Sequence, residues 1–291
     1  MPIVTLITNP AMYLDATMVE TLSEAMGGGA PVWLNPTCAA EYVVPKVPRN
    51  ARAIWESLQG EGVDMVIQPD GDRRRKLLLA DMDSTMIQEE CIDELAEEAG
   101  VGEAVRDVTL RAMNGEVSFE DALRDRVARL KGLPLSVIDD VLARRIHPMP
   151  GGATLVATMK AHGAHASLVS GGFTAFSRAI AERLGFDDHR ANTLEASDGK
   201  LTGTVADPVL GREAKVLRLK ALVKELAIKP LDVMAIGDGA NDLGMLKAAG
   251  TGVAVHAKPA VQAEARHRIN HGDLTALLYI QGYRVDAFIR A

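Results

Sequence analysis

Apolar positions along this chain follow two rhythms: short continuous or alternating runs, and longer stretches in which they return every three to four residues. The first rhythm predicts strands and the second helices. Over the first seventy residues they succeed one another as strand IVTLIT, helix DATMVETLSEAM, strands PVWLN and AEYVVP, helix NARAIWESLQ and strand VDMVIQP. A charged, turn-forming stretch follows, DGDRRRK at 70–76, which is expected to be a solvated linker. The next run, KLLLA, reads as a strand covered on both faces. Residues 91–146 carry only the helical rhythm, with Ser118 and Asp121, and Ser136 and Asp139, spaced as helix starts and Gly100, Gly115 and Gly132 as stops. From Pro148 onward helices alternate with the apolar strands HASLVS, DVMAIGD and GVAV, and NTLEASDGKLTGTV predicts a hairpin turned at Asp198 and Gly199.

The βαββαβ order of residues 1–72 fits a small ferredoxin-like unit. The alternation that begins at residue 76 predicts an α/β domain, a doubly wound parallel sheet running to residue 291 and interrupted by a helical insertion at about 91–146. With 291 residues, 47% of them hydrophobic, the chain has material for more than one core. Its net charge of -7 turns away polyanions, so no nucleic-acid partner is expected. The first basic residue is Lys46, and no apolar run approaches the ~20 residues of a membrane span. A cytoplasmic enzyme without a membrane partner is the expectation, and a homodimer is compatible with it. Cys38 and Cys91, far apart and in no metal-ligand pattern, predict no disulfide framework.

The chemistry gathers at strand ends. ADMDSTM places Asp81, Asp83 and Thr85 where KLLLA runs out, and ligands of open parallel sheets bind outside the carboxyl ends of the strands. Two positions apart on extended chain, Asp81 and Asp83 point the same way and repel each other unless a cation or a shared proton intervenes. A strand end capping the next helix is the alternative reading of Asp83 or Ser84. VMAIGDGANDLGM ends a second strand in Asp238 and Asp242 with Asn241 between them, and together the acids make an oxygen-rich site suited to Mg²⁺. In ASLVSGGF, Ser170, Gly171 and Gly172 offer a hydroxyl and free N–H groups to an anion at a helix start. Lys215, taken alone, reads as a solvated helix lysine. His267 and His271 share the i, i+4 spacing of zinc ligands, but a short strand is expected between them and no Glu follows the first, so zinc is set aside.

In this order DMDST, SGG, the lysine of EAKVLRLK and GDGANDLGM resemble the four motifs of the haloacid dehalogenase-like hydrolases. MDSTMIQEECIDELAEEAG, AMNGEVSFEDALRDRVARLKGLP and LVSGGF further resemble the phosphoserine phosphatase branch of that superfamily, and residues 1–72 resemble the ACT-like unit of some members. The resemblance implies Asp81 as nucleophile, Asp83 as general acid and base, and Mg²⁺ on Asp81, the Asp83 carbonyl and Asp238, with Asp242 supporting the metal shell. It implies phosphate binding by Ser170, Gly171, Gly172 and Lys215, with Asn241 orienting them. Phosphoserine would be the substrate, its ammonium on Glu90, its carboxylate on Arg126, and Met113 and Phe119 lining the cap. Three other readings stand beside this one. They are a phospho-acceptor signalling module, an amino-acid sensor acting through residues 1–72, and a phosphatase or phosphotransferase for another small phosphate ester.

Overall fold

The computed structural model describes residues 1–113 and 116–290, without the side chains of Ala112 and Met113. Its first elements are β1 (Pro2–Thr8), α1 (Ala16–Ala25), β2 (Val32–Asn35), β3 (Ala39–Val43), α2 (Ala51–Gly60) and β4 (Val63–Pro69). They form an antiparallel sheet in the order β2-β3-β1-β4, the ferredoxin-like arrangement expected from their succession. Alternation along β1 divides its two faces. Val4 and Leu6 pack with Val19 and Leu58 of the helices, while Ile7 joins Cys38, Ala39 and Val66 in the core that includes Leu274 and Tyr279 of the second sheet's layer.

The solvated-linker expectation for 70–76 holds only in part: Asp70, Gly71, Asp72, Arg74 and Lys76 are exposed, but Arg73 and Arg75 are drawn in between the two sheets. Arg73 pairs with Glu41 at 2.8 Å with its side chain only 10% exposed. Arg75 Nε donates to Thr251 Oγ1 at 2.8 Å, and the Arg74 guanidinium lies 4.4 Å from the centre of the Tyr283 ring. The chain between the sheets is pressed against both, so its long basic side chains find partners on each. The same interface holds Asp64, fully buried, whose carboxylate accepts the N–H groups of Asn270, His271 and Gly272 at 2.8, 2.9 and 2.8 Å. Asp64→Ala leaves those donors without a partner and is expected to lower the unfolding free energy by roughly 1–3 kcal/mol. Exposed Asp70→Ala should stay within about 0.5 kcal/mol. Urea titration of both variants checks this, and equal shifts would contradict it.

The second sheet is built from β5 (Leu77–Ala80), β6 (His165–Phe173), β7 (Asp188–Asn192), β10 (Val233–Gly237), β11 (Thr251–Val255) and β12 (His267–Ile269), all parallel in the order β12-β11-β10-β5-β6-β7. A hairpin of β8 (Leu194–Ser197) and β9 (Lys200–Val205) stands apart, turned at Asp198 and Gly199, whose φ angles of 51° and 74° are those of the expected tight turn. Between β5 and β6 run α3 (Cys91–Glu98), α4 (Gly102–Met113), α5 (Phe119–Ala128), α6 (Ser136–Arg144) and α7 (Gly152–Ala161). The later helices are α8 (Thr174–Leu184), α9 (Arg212–Glu225), α10 (Leu243–Ala248), α11 (Pro259–Glu264) and α12 (Ala276–Tyr279). Among the described residues no helix is long and apolar enough to cross a membrane.

Helices α3 to α6 form the predicted insertion. It leaves and rejoins the sheet by two adjacent segments, tied by Gln88 N to the His147 carbonyl and Met149 N to the Met86 carbonyl at 3.0 and 2.9 Å. Ser118 caps α5 as expected, its hydroxyl accepting Asp121 N at 3.1 Å. Ser136 does not cap α6. Residues 132–135 lie against the hairpin instead, with Leu135 N donating to the Gly199 carbonyl and Leu201 N to the Leu133 carbonyl, both at 2.9 Å. The chain turns from that pairing straight into the helix, with Leu135 in the cap position and no side-chain cap bond. Gly115 lies outside the described residues.

Candidate active site

β5 lies between β10 and β6, so the ends of these three strands meet, and they are the ends that carry the acids and the Ser-Gly-Gly turn. Asp81 continues β5, with its N–H on the Ile236 carbonyl at 3.0 Å. The chain then bends at Ser84, whose φ of 54° is left-handed, and the Ser84 hydroxyl donates to Glu90 at 2.8 Å. Asp83 faces two ways. One oxygen accepts Cys91 N at the start of α3 at 2.8 Å and the other accepts the Ser170 hydroxyl at 2.9 Å, joining β5, β6 and the insertion. The helix-cap alternative is not met as expected, since Glu90 holds the cap position of α3, but Asp83 does accept the first N–H of that helix from eight residues away while staying in the site.

Ser170, Gly171 and Gly172 form the irregular end of β6 itself, a turn packed tightly against Asp83. Gly172 N donates to Ser170 Oγ at 2.8 Å, and a Cβ at Gly172 would lie 2.9 Å from Asp83 Oδ2. After β10, Asp242 curls back beneath the strand end, its carboxylate accepting Gly239 N at 3.0 Å, and a Cβ on Gly237 would overlap that carboxylate. Lys215 is no solvated lysine. It is 2% exposed, and its ammonium lies 2.6 Å from both Asp81 Oδ1 and Asp242 Oδ1. Thr85, fully buried, donates to Asp238 Oδ1 at 3.1 Å.

Oxygen atoms of Asp81, Asp238 and Asp242 all lie within 4.8 Å of one another. Three carboxylates against one ammonium leave an excess of two negative charges in a buried place. Burial and then the Asp242 carboxylate raise the Asp81 carboxyl well above its ordinary range, with Lys215 opposing. Burial and Asp242 likewise bring Asp238 to about 6. Burial works against a charged Lys215, but Asp242 and Asp81 outweigh it and hold the ammonium above its usual pKa. A divalent cation that takes oxygen ligands matches both the donor set and the missing charge.

Above the acids is a cavity of ≈ 330 Å³. Asp81, Asp83, Glu90, Phe119, Arg126, Gly171, Gly172, Asp238 and Asn241 line it, while Ser170, Lys215 and Asp242 stand behind its wall. The side chain of Met113 lies outside the described residues. Protein atoms crowded around Glu90, and then the Asp83 carboxylate, push its carboxyl up to about 7. Burial lowers the Arg126 pKa, opposed by Asp93, Glu90 and Asp83, and its Nε donates to the Ala122 carbonyl at 3.2 Å. The cavity is also lined by Ile92, Thr109, Leu123 and Lys258, which the sequence reading did not single out. Ile92, Thr109 and Leu123 are ordinary helix residues by pattern, and Lys258 carries no motif.

The profile of the haloacid dehalogenase-like hydrolases matches residues 78–247. The chain belongs to this family. A phosphoserine phosphatase of Streptomyces coelicolor is 41% identical over 85% of the chain, which spans 61% of that relative's length. A phosphoserine phosphatase of Streptococcus thermophilus is 46% identical over 70% of the chain and 94% of its own length. The crystal structure of a haloacid dehalogenase family hydrolase from Salmonella enterica serovar Typhi superposes with a TM-score of 0.87 at 31% identity, covering 96% of this chain and 97% of that one. In this haloacid dehalogenase-like hydrolase the matched span begins inside β5 and ends inside α10, so it takes in all three acid- and glycine-bearing strand ends and α9.

Proposed function

We infer that this hydrolase removes phosphate from phosphoserine, with Asp81 as nucleophile. The observation that carries the substrate choice is the pair of opposite charges, Glu90 and Arg126, facing the same cavity as Asp81 and Asp83. Phosphoserine offers an ammonium and a carboxylate beyond its phosphate, and a closed site must pair each or bury it alone. The phosphoserine phosphatases among the relatives support the same substrate.

An Asp81 oxygen attacks phosphorus as the bond to the serine oxygen breaks, and Asp83 gives that oxygen its proton. Water then attacks the acyl phosphate, Asp83 takes its proton, and phosphate leaves with Asp81 restored. The hydroxyl of Ser170, now on Asp83, turns to the phosphoryl oxygens. With Gly171 N–H it offers donors where negative charge develops. Lys215 steadies Asp81 and Asp242 from below. Mg²⁺ is the cation proposed for Asp81, Asp238, Asp242 and the Asp83 carbonyl, and when bound it neutralises phosphoryl charge and keeps Asp81 ionised. Helices α3 to α6 act as the cap that excludes bulk water. We take residues 1–72 as a separate ACT-like unit docked on a catalytic unit of 76–291, with the cap at about 91–146.

Phosphate release across a panel of small phosphomonoesters, with Mg²⁺ and with chelator, tests the reading. Phosphoserine should give the highest kcat/KM, and chelator should stop turnover. A different ester far ahead of phosphoserine would overturn the substrate choice. Glu90 adds a pH dependence. With its carboxyl at about 7 it carries the charge for the ammonium above that pH and loses it below. KM for phosphoserine should therefore rise as pH falls through 7, while KM for an aryl phosphate, which has no ammonium, should not follow. Parallel pH profiles for the two substrates would remove Glu90 from this role.

A further inference from the structure

The phosphate turn has a partner that the mechanism has not used. Asn192, the last residue of β7, is 2% exposed. Its Nδ2 donates to the Gly171 carbonyl at 2.8 Å and to the Leu210 carbonyl at 3.2 Å, and its Oδ1 accepts Leu210 N at 2.6 Å. Because Leu210 N is a donor, the amide oxygen must face it, which settles which way the carboxamide points. Both amide hydrogens and the oxygen are therefore engaged.

We propose that Asn192 is a positioning residue for the phosphoryl group, locking the Ser170-Gly171-Gly172 turn to the entry of α9 so that the turn's donors and Lys215 meet the reacting atoms in register. This rests on the phosphatase reading above. The turn needs such a lock because the ladder between β6 and β7 shifts register between Val169 and Phe173, and the bulged residues leave the regular pairing. The other side needs it because Leu210 immediately precedes Gly211, the cap position of α9, and Lys215 lies one turn further on. The two joined segments also seat the cap. A Cβ on Gly171 would lie 3.3 Å from Phe119 Cζ, and one on Gly211 would lie 3.4 Å from Phe119 Cδ1. One buried carboxamide thus sets the spacing between the phosphate donors, the lysine helix and the cap's contact point. Shifts of an ångström at such a site cost far more in rate than in stability.

The test compares Asn192→Asp, which keeps the shape but turns an acceptor toward both carbonyls, with Asn192→Ala, which removes the lock. Ser167→Ala serves as control. It loses the 2.6 Å hydrogen bond that the buried Ser167 hydroxyl donates to the part-exposed Asp188 on the same β6–β7 pair, away from the turn. Urea unfolding, kcat for phosphoserine and for an aryl phosphate, and the inhibition constant of inorganic phosphate are measured for all three with Mg²⁺ present. Both Asn192 variants should lose between about 10- and 100-fold in kcat. They should lose equally on the two substrates and bind inorganic phosphate more weakly, while Ser167→Ala keeps wild-type kcat and phosphate inhibition even if it is as destabilised. Should the aspartate variant fail to fold, the smaller, uncharged alanine carries the comparison. Wild-type kcat and phosphate inhibition in a folded Asn192 variant, or losses matched by Ser167→Ala, would overturn the proposal. Phosphate inhibition reports on the turn whichever ester is hydrolysed, so this outcome is separate from that of the substrate panel.

Discussion

Asp81→Asn should fall by roughly 10⁴-fold or more in turnover of every phosphate ester, because the group lost is the one proposed to bond to phosphorus. The fold should survive the change. Asp81 is buried beside Asp242, and its carboxyl is already raised by burial and by that neighbour's charge. An amide of the same shape removes one charge from a cluster with too many, while Lys215 keeps Asp242 as a partner at 2.6 Å. The unfolding midpoint should therefore hold or rise as activity disappears. Phosphate-release kinetics and urea unfolding on one preparation check both halves, and wild-type turnover by the folded variant would rule out Asp81 as nucleophile.

The second large effect should be confined to one substrate. The chemistry proposed for Asp81 would serve any phosphate ester, so selectivity would have to come from the proposed cap, where Arg126 and Glu90 line the cavity. Removing one partner of a desolvated charge pair costs roughly 2–5 kcal/mol, much of it from the charge left unpaired. At about 1.4 kcal/mol per tenfold, Arg126→Ala should lower kcat/KM for phosphoserine by roughly 30-fold or more. Glu90→Gln should act in the same direction. An aryl phosphate has neither group awaiting a partner, and its hydrolysis should change far less. Equal losses on both substrates would mean general damage to the cap rather than lost recognition.

Much of this architecture is written in local pattern. The apolar run of β5 and the Asp198-Gly199 turn need only neighbours in sequence to declare themselves, as does the Ser118 cap, and each stands where its pattern put it. The acids at the ends of β5 and β10 were legible for the same reason, since a covered strand that runs into carboxylates marks a crevice. What escaped depends on distant contacts. Lys215 was marked by the family resemblance alone, since its own surroundings in sequence are those of a solvated helix residue, and only folding brings Asp81 and Asp242 to 2.6 Å from its ammonium. Arg73 and Arg75 read as a charge run until Glu41 and Thr251 approach them. Ser136 has the spacing of a cap but loses that role because the preceding residues pair with β9. Asn192 carries no motif, and its partners Gly171 and Leu210 lie 21 and 18 residues away on opposite sides in sequence.

The most direct test of Asp81 as the nucleophile is to catch the phosphoryl group on it. Enzyme mixed with phosphoserine and Mg²⁺ is quenched in acid within one turnover and reduced with borohydride, which converts an acyl phosphate on aspartate to the alcohol, homoserine, and peptide mass spectrometry locates the changed residue. Homoserine is expected at position 81 in the wild type and at no position in Asp81→Asn. Homoserine at position 83, or a full burst of serine with no residue converted, would contradict that role.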